Sequence, residues 1–270
     1  MPELPEVETL VSELNEILVL QKISAVEIRE DSILETPREW FETGLPEKEI
    51  LQVGRRGKFI RVVLSEGLTL WFHLGMTGQL LFDPADSPES HVHLVLSFAG
   101  GKKLFFRDPR RFGKIALTPW QGKAFPGGVG RLGPEPEEWQ REEFISFLKQ
   151  RKGRIKNLLM NQSLIAGLGN IYTDEVLHRA GIRPLKRASS VSSKSLGRLH
   201  QAIGEVLEEA VRWGGSSIDD YLHLDGARGG FQAFHRVYGR AGRSCGSCGA
   251  LIRRVKLSGR SSFFCPRCQK

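Results

Sequence analysis

No stretch of this 270-residue chain approaches the roughly 18 consecutive apolar residues that a transmembrane helix needs, so a helical membrane span is excluded. Cysteine is scarce: there are four, all beyond position 244, which excludes a disulfide-dense scaffold spread along the chain. The opening MPELPEVETL has no basic start followed by an apolar stretch, so no secretory signal is expected and the expected compartment is the cytoplasm. Acid is absent from residues 226–270, which hold 10 Lys or Arg. That deficit is regional, because residues 1–50 carry 13 Asp or Glu against 4 Lys or Arg.

The remaining composition is that of a globular protein, with 40% hydrophobic and 26% charged residues, and disorder is not required. The length favours two domains sharing a cleft. Net charge is +8, and further basic excess lies in residues 51–115 (10 basic, 5 acidic) and 151–187 (8 basic, 2 acidic). Three separated basic segments can face one polyanion. A phosphate backbone fits, since its neutralisation releases counterions; a merely solubilising surface is the plain alternative.

Pro5, then Glu6 and Glu8, with Val7, Leu10, Val11, Leu14, Ile17 and Leu18 at helical spacing, predict an amphipathic helix just after Pro2. From Lys22 to Leu117 the runs ISAVEI, KFIRVVL, LTLWFHL, HLVLSF, KLFFR and KIAL alternate with the turns SEGL, DPADSPES and AGGK. These predict an antiparallel sandwich. GGVGRLGPEP at 127–136 reads as a linker and a hinge. Helices are expected at 137–151, 155–161, 171–180 and 192–213, the middle two joined by the Gly-rich SLIAGLGN in the manner of a helix-turn-helix device. The fold class is α+β.

Cys245 and Cys248, then Cys265 and Cys268, form two CxxC pairs separated by 16 residues. This is the spacing of a tetrahedral four-thiolate zinc site, with one structural Zn2+ and no open position for catalysis. The segments ALIRRVKL and SSFFC can close the module as a hairpin whose Arg253, Arg254, Lys256 and Arg260 suit it to gripping phosphate. So small a piece would owe much of its folding free energy to the metal.

PELPEVE at the start, HLGMTG at 73–78, RDPRRFG at 107–113, GLGNIYTDE at 167–175 and the VYGR before the four cysteines together resemble the formamidopyrimidine-DNA glycosylases, in order and over essentially the whole chain. The resemblance implies a sandwich domain at 1–133, a helix-two-turns-helix domain at 134–236 and a zinc finger at 237–270. It implies a monomeric glycosylase and AP lyase acting on double-stranded DNA with oxidised purines or abasic sites. Pro2, exposed by removal of Met1, would be the nucleophile, and Glu3 the acid/base. Glu6 would be a further acid near the site, or only a helix-terminus acid that favours the macrodipole. Lys58 would contact phosphate at the lesion. Met76, Arg110 and Phe112 would fill the gap left by an everted nucleotide, and Lys156, Asn170 and Arg260 would clamp the backbone. The segment 216–238 would be the flexible loop that closes over the everted base. Endonuclease VIII-like enzymes for oxidised pyrimidines, which tend to begin PEGPE where this chain has Leu4, are one alternative; a non-catalytic zinc-ribbon DNA-binding protein is another.

Overall fold

The computed structural model describes residues 1–85, 88, 90–119 and 126–270. Pro5 sits in the first turn of helix α1 (Leu4–Leu18), where its missing N–H costs nothing. Glu3 and Glu6 close a capping box there: the Glu3 N–H donates to Glu6 Oε2 at 2.7 Å. Val7, Leu10, Val11, Leu14 and Leu18 bury the expected stripe, whereas Ile17 stands off it and is exposed.

Among the described residues eight strands follow: β1 (Ile23–Ile28), β2 (Ile50–Arg56), β3 (Phe59–Leu64), β4 (Leu68–His73), β5 (Gln79–Phe82), β6 (Val92–Phe98), β7 (Lys103–Arg107) and β8 (Lys114–Pro119). They form two four-stranded antiparallel sheets, ordered β1-β6-β7-β5 and β2-β3-β4-β8. Residues of both sheets and of α1, among them Leu10, Leu14, Phe72 and Phe106, share one apolar cluster. Several strands read as unbroken apolar runs because their second face is covered too. Trp71 and Ala116 pack with Val129, and Leu81, Val92, Val95 and Phe105 pack together. The short helix α2 (Arg38–Gly44), with Phe41 its only buried residue, and strands β2 and β5 were not anticipated. The turn expected at 83–90 includes 86, 87 and 89, which lie outside the described residues.

In the second half, the helix expected at 137–151 is two pieces, a 3-10 turn at Pro136–Glu138 and α3 (Arg141–Lys149). They are separated by the extended Trp139, whose ring packs on Phe144 and Phe147. Helices α4 (Ile155–Leu159), α5 (Asn170–Ala180) and α6 (Ser193–Arg212) stand near their expected bounds. Gly181, at φ +72°, ends α5 in the left-handed conformation that favours glycine. Strands β9 (Arg253–Leu257) and β10 (Arg260–Phe264) make the expected hairpin. Its turn residues Ser258 and Gly259 both have positive φ, as a two-residue I′ turn requires.

The chain divides into two compact units. One comprises Met1–Arg131 and Trp213–Gly230; the other comprises Leu132–Arg212 and Phe231–Lys270, so the cysteine hairpin shares a unit with the helices. The cause of the return is visible in the first unit. Tyr221 and Leu224 join its core cluster, Phe82 N–H donates to the Leu224 carbonyl, and Glu13 accepts from His223 Nδ1 and from Leu224 N–H. Leu224→Ala should cost about 2–5 kcal/mol. Amide exchange should accelerate in β5–β7 while α3 and α6 keep their protection; loss of protection confined to the helices would instead support a self-contained 134–236 domain.

Candidate active site and nucleic-acid interface

Pro2, Glu3 and Glu6 are all buried, Glu3 at 2% and Glu6 at 1% exposure. Glu6 carries more than a helix-terminus acid does. Its Oε2 accepts from Glu3 N–H, and its Oε1 accepts from Ser216 N–H, also at 2.7 Å, so one carboxylate ties the first residues of the chain to residue 216. Gly215 is required beside it: φ is +75°, and a Cβ there would lie 2.8 Å from Glu6 Oε1. Arg55 Nε donates to Glu8 at 2.6 Å and its guanidinium to the Gly57 carbonyl. This ion pair fastens the start of α1 to the β2–β3 turn that carries the buried Lys58. Arg55 is thus engaged with Glu8 and Gly57, and Lys58 sits buried at the other end of the same turn.

HLGMTG links β4 to β5, and RDPRRFG links β7 to β8. Met76 (40% exposed) and Phe112 (51%) project from these turns, and the Arg110 guanidinium lies 4.6 Å over the Phe112 ring. Arg111, at φ +57°, is ion-paired to Glu30 at 2.8 Å, which distinguishes it from Arg110. The two turns are built on Asp108, fully buried and not singled out in the sequence. Its carboxylate accepts from the Thr77 hydroxyl, from Arg110 N–H and from Gly113 N–H at 2.7 Å. Gly75 lets the turns close up, since a Cβ there would sit 2.5 Å from the Phe112 backbone. Three exposed apolar and cationic groups thus stand on one rigid platform. An acid inside an otherwise basic turn was the only sequence signal for Asp108.

His73, at the end of β4, was also passed over. Burial and the nearby Lys58 charge hold its imidazole down to about 4, and Nδ1 faces Gly75 N–H at 3.3 Å as an acceptor should.

In the second unit Asn170 is the first residue of α5, while the N-cap position belongs to Gly169. Asn170 is half-buried, and its Oδ1 has no hydrogen-bond partner among the described residues. Arg260 is exposed at the start of β10. Lys156, expected with these two to clamp the backbone, is buried instead. It is 1% exposed, and Nζ pairs with the fully buried Asp174 at 2.7 Å and donates to the Ser261 carbonyl at 3.1 Å. The adjacent acid Glu175 accepts from the N–H groups of Arg236, Val237 and Tyr238, forming the VYGR turn that leads into the hairpin.

The sulfurs of Cys245, Cys248, Cys265 and Cys268 lie within 4.8 Å of one another. Separations of 3.9 Å (Cys245 to Cys268) and 3.4 Å (Cys248 to Cys265) bracket the roughly 3.8 Å that tetrahedral Zn–S bonds of about 2.3 Å dictate. Burial opposes ionisation of Cys245, but N–H donors of the CGSC turn and His178 bring its thiol down to about 6, towards the thiolate that a metal takes. The four cysteines fit one structural zinc, leaving no fourth position open to water.

The class so defined is a zinc-bearing α+β protein whose antiparallel sandwich presents a proline-led helix start and a platform of exposed turns. Residues 1–115 match the formamidopyrimidine-DNA glycosylase N-terminal domain, 132–221 the H2TH domain of the same enzymes, and 244–270 the zinc finger found in FPG and IleRS. The formamidopyrimidine-DNA glycosylases of Solibacter usitatus and Pelotomaculum thermopropionicum are 48% and 42% identical to this chain; the alignments cover all of the chain and 100% and 99% of those proteins. A Lactococcus lactis FPG mutant in complex with a Fapy-dG-containing DNA superposes with a TM-score of 0.92 at 38% identity, covering all of both chains. MutM (FPG) from Thermus thermophilus gives 0.89 at 39% identity, covering 99% of this chain and 98% of that one. The chain belongs to the formamidopyrimidine-DNA glycosylase family and is a base-excision-repair glycosylase.

The depressed pKa of His73 has a direct consequence. An imidazole that resists protonation when folded stabilises the fold fully above its unfolded value of about 6.5, and that contribution is lost as pH falls towards 4. Wild-type stability should therefore drop between pH 6.5 and 4.5 by on the order of 2 kcal/mol more than that of His73→Asn. Parallel stability curves in denaturant titrations at the two pH values would contradict the assignment.

Proposed function

We propose that the chain is a bifunctional glycosylase and AP lyase that removes oxidised purines, 8-oxoguanine and formamidopyrimidines, from duplex DNA. The observation that carries the reading is the seat of the N-terminus. Pro2 and Glu3 are buried at a helix start whose geometry is fixed by a carboxylate, Glu6, with both oxygens engaged by backbone. In the full sequence the Pro2 nitrogen is an amide; removal of Met1 makes it a secondary amine. With a reference pKa of about 7.7–8.0 for an α-amino group, roughly a tenth is unprotonated at pH 7, far more than for a lysine near 10.4.

Attack of this nitrogen on C1′ breaks the glycosidic bond, whose electron pair leaves with the base, and the proton shed by the nitrogen neutralises the departing base. Glu3 supplies the proton that lets the sugar ring oxygen depart, giving a Schiff base to C1′. The iminium draws electrons from C2′ once a C2′ proton is lost, and the C3′–O bond breaks to expel the 3′ phosphate. Loss of a C4′ proton then expels the 5′ phosphate by the same route, and water releases the sugar remnant and the proline. Lys58 steadies the phosphate at the lesion. Met76 and Phe112 enter the vacated stack while the Arg110 fork hydrogen-bonds the orphaned base. Asn170 and Arg260 hold backbone phosphates. Solved relatives bound to DNA containing Fapy-dG or an abasic site support the substrate class.

Borohydride trapping tests this. Wild-type enzyme on duplex DNA containing 8-oxoguanine should give a covalent adduct at Pro2, and Pro2→Gly should give at least tenfold less. Trapping only on oxidised pyrimidines would favour an endonuclease VIII-like specificity, and binding with no adduct on either substrate would favour a non-catalytic protein.

A further inference from the structure

Lys156 and Asp174 join three elements of the helical unit. Lys156 lies on α4 and Asp174 on α5, while the Ser261 carbonyl and the Phe263 N–H belong to β10. Asp174 Oδ1 accepts from Lys156 Nζ and Oδ2 from Phe263 N–H at 2.8 Å, so both carboxylate oxygens are engaged. Lys156 Nζ divides its protons between Asp174 and the Ser261 carbonyl. Neither side chain is more than 1% exposed. Two features make this more than core packing. Asp174 lies four residues into the helix that begins at Asn170, and Ser261 is the immediate neighbour of Arg260. The far ends of the hairpin are fixed to the same helix by Glu175 at its entrance and by Gln269, which accepts from Cys265 N–H and donates to the Ile182 carbonyl just past α5.

We propose that the buried Lys156–Asp174 ion pair is a positioning device that sets the offset between Asn170 and Arg260, so that Lys156 strengthens the grip on DNA through Arg260 and not by touching phosphate. The inference rests on the phosphate roles proposed above for those two residues. A point charge buried with its partner cannot reach a phosphate without leaving Asp174 uncompensated, whereas a one-residue lever from Ser261 to Arg260 needs no such rearrangement.

Three variants decide it: Arg260→Ala, the charge-free pair Lys156→Met with Asp174→Asn, and all three changes together. Binding is measured against salt on a duplex carrying a tetrahydrofuran abasic-site analogue, with zinc content determined for each protein. The charge-free pair should keep one zinc per chain and flatten the salt slope by about 0.9, one phosphate's worth. The triple variant should show no further flattening. An additive loss in the triple variant, or a wild-type slope in the charge-free pair, overturns the proposal. Should the pair lose its zinc, Asp174→Asn alone, which keeps an acceptor for Phe263 N–H, carries the same expectation. A wild-type slope for Arg260→Ala would refute the phosphate contact itself. Positioning is then still read without DNA: amide exchange at Phe263 should quicken at least tenfold in the charge-free pair and not in Arg260→Ala, and unchanged protection in the pair overturns it.

Discussion

The Glu6 carboxylate, accepting from the N–H groups of Glu3 and Ser216, is the constraint on which the first unit depends. It closes a loop of 210 residues at the start of α1. It ties the first residues of the chain to the start of the returning segment 213–230, which Tyr221, Leu224 and Glu13 hold further along. A buried acceptor with both oxygens satisfied by charge-assisted bonds is worth roughly 1.5–3 kcal/mol per bond. Leaving either N–H unpaired in this interior would cost a comparable amount. The seat of Pro2 is thereby a property of the whole unit, set from both ends of its sequence.

The same device recurs. Asp108 organises the turns at 73–78 and 107–113 through Thr77, Arg110 N–H and Gly113 N–H. Glu175 shapes the turn into the hairpin, and Glu13 holds His223 and Leu224. In a chain of net charge +8, Glu6, Asp108 and Glu175 are buried on backbone N–H groups, while Arg110 and Arg260 remain at the surface. The division has a physical basis. A carboxylate is an acceptor with several lone-pair sites and can terminate backbone donors, whereas Arg offers only donors, suited to phosphates and base edges.

Much of this was legible in the sequence because the signals were local. Turn residues bounded the strands, a stripe of apolar residues marked α1, and the CxxC spacing specified the zinc site. The motifs placed Met76, Arg110 and Phe112 on turns, where they are exposed. What escaped depended on partners remote in sequence. Nothing near Lys156 announces that Asp174 neutralises it, so a lysine in a basic segment read as a phosphate contact. Residues 216–238 are rich in glycine and read as a loop of the helical domain, yet Tyr221 and Leu224 complete the sandwich core. Strand β2, interrupted by Gly54 and ending in two arginines, and the four-residue β5 lack a period long enough to recognise.

The chemistry assigned to this seat requires an amine that the translated chain does not yet have. The most direct measurement is the intact mass of fully active enzyme, compared with its active-site titre. Every titratable site should correspond to a chain lacking the mass of Met1. Full turnover by chains that still carry Met1 would contradict it.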